Sequence, residues 1–183
     1  MKKNNKYKKF NFSTLSIHAG QKVDKNYRSR ATPIYQTTSY LFENHDEAAS
    51  IFNLDTDGHI YSRISNPTVS VLEERIASLE KGIGAICVAS GQAALHLTVA
   101  TLLNKGDHII SSDRIYGGSR NLLGLTLKRF GIETSFIDIR NLSQIKKNIK
   151  KNTKIIFGET IGNPGLEILD VEKVSNICNK NNI

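Results

Sequence analysis

The first 45 or so residues lack a sustained hydrophobic period, and Pro33 within ATPIYQTTSYLF predicts extended or irregular backbone rather than helix. This stretch reads as an arm. His45 to Leu54 predicts a short helix, and the polar DTDGHIYSRISNPT after it carries turn signals at Asp57-Gly58 and Asn66-Pro67. The second signal opens a helix. Asn66 caps it, Pro67 takes the first helical position, where no donor is needed, and Val69, Leu72, Ile76 and Leu79 recur at helical spacing. Gly82 ends it.

From there, short apolar runs alternate with helical patterns. Ala85 to Ala89 is apolar on both faces and predicts a buried strand. Gln92 to Leu103 follows as a helix, His108 to Ser112 as a strand, Ser119 to Phe130 as a helix and Glu133 to Ile137 as a strand. Leu142, Ile145 and Ile149 form a helical stripe, Lys154 to Gly158 a fourth strand, and a last helix starts near Asp170. Strands separated by helices specify parallel pairing with right-handed crossovers. The expected fold is therefore α/β, an N-terminal arm plus a mainly parallel sheet with flanking helices. The expected divisions are a basic, disordered tail over 1–13, an arm and loop over 14–66, and an α/β domain over 67–183. After helix 170–181 only Asn182 and Ile183 remain where the rhythm calls for another strand, so an incomplete sheet with an unpaired edge and poor solubility is expected.

Composition narrows the class. With 183 residues, 39% hydrophobic and 23% charged, the chain is neither fibrous nor disordered, and no apolar run approaches the roughly 18 residues of a membrane span. The net charge of +8 is concentrated: Lys2, Lys3, Lys6, Lys8 and Lys9 leave only +3 on the remainder. Tyr7 and Phe10 are the only aromatics among the first ten residues, too few to stack a series of bases, so nucleic acid is not an expected partner. Residues 11–20 are too polar for the apolar core of a secretory signal, which leaves the cytosol as the expected compartment. Cys87 and Cys178 offer neither a disulfide framework nor metal-binding spacing and read as buried, reduced thiols; no metal site is expected.

In open parallel sheets, ligands collect at the carboxyl ends of the strands. Ser90-Gly91-Gln92 leads from the first expected strand into a helix, which suits a phosphate and equally suits a tight turn. Tyr116 beside Gly117 and Gly118 can lie flat on a planar ligand or serve as a packing tyrosine. Glu159 and Asn163, in the ETIGNPG loop, can bond a polar ring substituent, although turn chemistry also explains the Asn-Pro-Gly. Tyr61 and Arg63 lie in an irregular loop, where the arginine fork suits a phosphate and also a solvated surface.

Together these segments resemble the pyridoxal-phosphate enzymes of cysteine and methionine metabolism. The resemblance runs from about Thr14 to the end through Ser16 to Gly20, Pro33 to Tyr40, His59 to Thr68, Ala89 to Ala94, Tyr116 to Ser119 and Glu159 to Pro164. Within the family the wording is most similar to O-acetylhomoserine sulfhydrylases, with cystathionine γ-synthases and γ-lyases as the alternative. The resemblance implies the large-domain fold of fold-type I transferases, pyridoxal 5'-phosphate as cofactor, and a γ-replacement joining O-acetylhomoserine to sulfide or a thiol. Ser90, Gly91 and Gln92 would hold the phosphate, Tyr116 would stack on the ring and assist proton transfer, and Asn163, helped by Glu159, would address the ring hydroxyl side. Tyr61 and Arg63 would reach the phosphate of a neighbouring subunit in a dimer or tetramer.

The family also uses a lysine for its Schiff base and an acidic partner for the pyridinium nitrogen, both downstream of the last helix seen here. The expectation for the chain alone is accordingly an inert piece, or one that works with a complementing C-terminal chain.

Overall fold

The computed structural model describes residues 9–183, which fall into two compact units dividing between Cys87 and Val88. Residues 1–8, the start of the expected basic tail, lie outside the described residues. In the first unit the helices are α1 (Phe12–His18), α2 (His45–Phe52) and α3 (Pro67–Leu79). Helix α1 corrects the expectation of irregular chain: it starts at Phe12 because the Asn11 side chain accepts from the Thr14 N–H at 3.1 Å. It then packs on α3, where Arg75 Nε donates to the Ala19 carbonyl at 2.9 Å. Seven residues against a distant helix leave little periodic signal, so only the cap was readable. Helices α1 and α3 thus both belong to the first unit.

Asn66 does more than cap α3. Its Oδ1 accepts from the Thr68 N–H at 2.9 Å, while its Nδ2 reaches the Tyr35 carbonyl at 2.9 Å, Tyr40 Oη at 3.0 Å and Ser62 Oγ at 2.9 Å. Thr68 Oγ1 donates to the Pro33 carbonyl and accepts from the Tyr35 N–H, both at 2.9 Å. A buried amide thereby ties the extended segment 33–40 to the start of α3, and a bridge between Ser39 and Tyr61 continues the tie.

The second unit runs α4 (Gly91–Leu102), β1 (His108–Ser112), α5 (Gly117–Asn121), β2 (Glu133–Ile137), α6 (Leu142–Asn148), β3 (Thr153–Phe157) and α7 (Val171–Asn181). The three strands pair in parallel in the order β2-β1-β3, an open sheet. Ile109 and Ile110 point to opposite faces of β1, and each is fully buried in its own core. Ile109 joins Val99, Leu103, Leu123 and Leu127; Ile110 joins Ile139, Ile145, Val174 and Ile177. Helices therefore cover both faces of the central strand.

Four expectations are corrected here. Ala85 to Ala89 forms no strand, and Ile86 is 76% exposed. An apolar run becomes a strand only when its backbone finds a partner, and no strand among the described residues pairs with this one. The regular helix expected over 119–130 begins at Gly117 and widens after Asn121 into a π turn (Leu122–Thr126) and then a 3-10 turn (Leu127–Phe130). There the Leu123 carbonyl accepts from Thr134 Oγ1 at 2.9 Å, and Gly124 makes room for the Phe136 ring. Neither cysteine forms a disulfide and both are only half-buried: Cys178 packs at the margin of the core around Ile110, and Cys87 belongs to neither core. Finally, α6 stops at Asn148, with Ile149 as its C-cap. Among the described residues no helix is long and apolar enough to cross a membrane.

His108 is fully buried where all three strands begin, with Nδ1 2.8 Å from Thr153 Oγ1 on β3 and Nε2 2.9 Å from Ser135 Oγ on β2. Burial first, and the Lys150 charge second, hold its pKa below the ordinary 6.5, against an opposing effect of Glu133. The unfolded chain thus binds the proton more readily than the folded one, and stability present above 6.5 is lost as pH falls below it. We predict a His108 ring neutral at pH 6.5 by nitrogen-detected NMR; an imidazolium at that pH would contradict the assignment. A second prediction concerns the first unit. Asn66→Ala loses the cap and the two amide N–H donors shared among three acceptors, and costs about 2 kcal/mol or more in denaturant unfolding, whereas Asn66→Asp, keeping only the cap, recovers a minor part.

Candidate functional site

Because β1 and β3 are parallel neighbours, the loops that follow them leave the sheet side by side. Three contacts join them. The Tyr116 N–H donates to Glu159 Oε1 at 3.0 Å, the Asn163 N–H donates to the Arg114 carbonyl at 3.4 Å, and Arg114 Nη1 lies 3.8 Å from Glu167 Oε1. Gly162 is tightly enclosed between the loops: a Cβ there would stand 2.9 Å from Glu167 Oε2, 3.1 Å from the Arg114 carbonyl oxygen and 3.3 Å from the Arg114 Cβ. The second loop folds back on itself through Gly162 N–H to Glu167 O at 2.8 Å and Leu169 N–H to Thr160 O at 3.0 Å. Tyr116 and Asn163 are thereby held at one edge, both exposed. The Tyr116 ring lies against the α-carbon of Gly118, where any side chain would collide with it.

Helix α4 brings its start to the same unit. Ser90 is the N-cap, its hydroxyl accepting from the Ala93 N–H at 3.1 Å, which leaves the Gly91 and Gln92 N–H groups of the first turn to an external acceptor. A Cβ on Gly91 would meet nothing within 4 Å, so its surroundings are open. Gln92 Nε2 donates to Ser119 Oγ at 3.1 Å, tying the start of α4 to the first turn of α5.

Charge at the strand ends is mixed. Arg140 grips Asp138 with two bonds of 2.9 Å, which hold the Asp138 carboxyl below the usual carboxylate range. Arg114 shares Asp113, at 3.6 Å, and Glu167. No group of three or more metal-ligating side chains occurs among the described residues.

Of the residues singled out by sequence, Ser90, Gly91, Gln92, Tyr116, Glu159 and Asn163 all belong to the second unit; Tyr116 and Glu159 bond directly, and Asn163 meets the same loop through the Arg114 carbonyl. Tyr61 and Arg63 belong to the first, where the Arg63 guanidinium stands 5.0 Å from the Tyr61 ring centre. The Tyr61 carbonyl accepts from the Ile64 N–H at 2.8 Å and the Ser65 N–H at 3.0 Å, a tight turn that fixes the pair. Sequence reading missed Ser119, Arg114 and Gly162. Arg114 lies two residues past a strand and Gly162 precedes Asn-Pro, but nothing local says that they meet.

Residues 13–183 match the family model for the Cys/Met metabolism PLP-dependent enzymes. The chain is 46% identical over 174 residues to homocysteine/cysteine synthase of Saccharomyces cerevisiae, covering 94% of this chain and 39% of that protein. It is 43% identical to an O-acetyl-L-homoserine sulfhydrylase of Corynebacterium glutamicum, covering 94% of this chain and 40% of that one. The fold matches, with a TM-score of 0.88 and 46% identity, a crystal structure from Campylobacter jejuni named as an O-acetylhomoserine (thiol)-lyase and carrying N'-pyridoxyl-lysine-5'-monophosphate. That match covers 95% of this chain and 43% of the other. The chain thus spans about two fifths of the length of these relatives.

Gly162→Ala is predicted to force the two loops apart. It should lower stability by about 1 to 3 kcal/mol and speed amide exchange at Asn163, with exchange in β2 unchanged.

Proposed function

The chain belongs to the Cys/Met metabolism PLP-dependent enzymes, and on that premise we propose that it supplies the phosphate- and ring-contacting part of a pyridoxal-phosphate site. The reaction proposed is γ-replacement: O-acetylhomoserine and sulfide give homocysteine and acetate, or a methyl thiol gives methionine. When bound, the cofactor supplies an electron sink that makes the α-proton of an amino acid acidic. Everything else in this reading is done by side chains and backbone of the protein.

The start of α4 carries the proposal. Its open Gly91, its unclaimed first-turn N–H groups and the positive end of the helix fit a phosphate. Tyr116, exposed and backed by Gly118, offers a flat face to a planar ring, and Asn163 offers an amide at the same edge. In this reading Gly91 and Gln92 hold the phosphate, Tyr116 orients the ring and handles a proton near the departing group, and Asn163 addresses the ring hydroxyl. Tyr61 and Arg63 serve the phosphate of a second copy in a homo-oligomer, and the compartment is the cytoplasm.

The sulfhydrylase reading is supported by the names of the relatives, which share up to 46% identity with the chain. Its test is the reaction, run with pyridoxal phosphate on the protein as its gene encodes it. Homocysteine and acetate should appear from O-acetylhomoserine and sulfide; thiol release from methionine alone would favour a γ-lyase instead. A narrower prediction tests the phosphate cradle. Gly91→Pro removes one N–H donor, yet proline suits the first helical position and Ser90 is already extended at φ −161° and ψ 162°. Helix content should be unchanged by circular dichroism, while affinity for 4-deoxypyridoxine 5'-phosphate, which forms no imine with surface lysines, falls about tenfold.

A further inference from the structure

Helix α5 lacks both halves of an ordinary capping box. Its N-cap is Tyr116, which makes no side-chain capping bond, and the residue three places on is Ser119, whose hydroxyl is engaged by Gln92 Nε2. In the ordinary box that third residue is a glutamate or glutamine reaching back to the N-cap N–H. Here the reach is made from the end of β3, 43 residues away, by Glu159 Oε1 on the Tyr116 N–H at 3.0 Å.

We propose that Glu159 is a positioning residue for Tyr116, which sets where the ring stands by holding the backbone from which that ring projects. The inference rests on the functional reading above and gives Glu159 a different task from a direct contact with the cofactor ring. The geometry restrains Tyr116 at two points. Glu159 fixes its N–H, and the Gly118 α-carbon lies behind its ring, so the peptide and the phenol are placed independently. The adjoining bonds run the same way, since Asn163 N–H meets the Arg114 carbonyl and Arg114 faces Glu167 across the same two loops. With Glu159 removed, those contacts still hold the loops near each other, but the Tyr116 N–H loses its acceptor. The ring then samples more than one position while the sheet remains intact.

The task requires an acceptor oxygen at that reach and no negative charge. Glu159→Gln therefore keeps it, Glu159→Asp is one methylene short, and Glu159→Ala abolishes it. The experiment has two independent measurements on the full chain. The first is amide exchange at Tyr116 without any ligand: Glu159→Ala should accelerate it about tenfold or more, and Glu159→Gln should stay within a few-fold of the parent. The second is affinity for 4-deoxypyridoxine 5'-phosphate, which should fall in Glu159→Ala and be largely restored in Glu159→Gln. Unchanged Tyr116 exchange in Glu159→Ala overturns the proposal. So does equal loss of affinity in the Gln and Ala variants with Tyr116 still protected in Gln, because the carboxylate charge would then be acting on the ligand. Should the parent chain fail to bind the analogue, the cofactor reading fails, while the exchange measurement still decides what Glu159 does.

Discussion

The second unit depends on one constraint: β1 is paired on both edges and covered on both faces. A parallel strand in that position has no freedom of register, since a shift of one residue would exchange Ile109 and Ile110 between two separate cores. With register fixed, the loops after β1 and β3 must leave the sheet at the same end and beside one another. Contact between residues 113–116 and 159–167 follows from strand order, and the hydrogen bonds across it refine a proximity that the sheet has already imposed.

Buried polar groups divide the work with the apolar core. At the start of the strands His108 links three chains of backbone through two hydroxyls, and burial, which lowers its pKa, favours the neutral ring there. Past the finish of the strands, Asp113, Arg114, Tyr116, Glu159 and Asn163 are exposed or half-exposed, although Ser111 and Ser112 at the end of β1 are buried. Asn66 plays the corresponding part in the first unit, where four bonds from one amide hold an extended segment that no hydrophobic period could have fixed.

The proposed function would give these features a common purpose. A phosphate cradle made of backbone N–H groups depends on the helix and its cap more than on side-chain identity, and the start of α4 has Ser90 as cap and open space at Gly91. A stacking aromatic, by contrast, depends on orientation. Tyr116 cannot cap its own helix, so its backbone is held by a carboxylate from another strand.

Much of this was legible locally. The helices from Asn66-Pro67 and Ser90-Gly91, the three paired strands and the parallel order follow from caps, apolar runs and crossover length, all short-range properties of the chain. Tyr116, Glu159 and Asn163 could be singled out because they lie in the loops after two apolar runs that do form strands, whereas Ser90, Gly91 and Gln92 follow a run that forms none and meet α5 through Gln92 and Ser119. Tertiary structure alone decided the rest. Ala85 to Ala89 has the composition of a strand but no partner, α1 is held by a residue 56 positions from its end, and Glu159 bonds a backbone N–H 43 positions away. Composition and period report what a segment can do with its own neighbours. Which distant donor meets which acceptor is set by the packing of whole elements, and no local pattern carries that information.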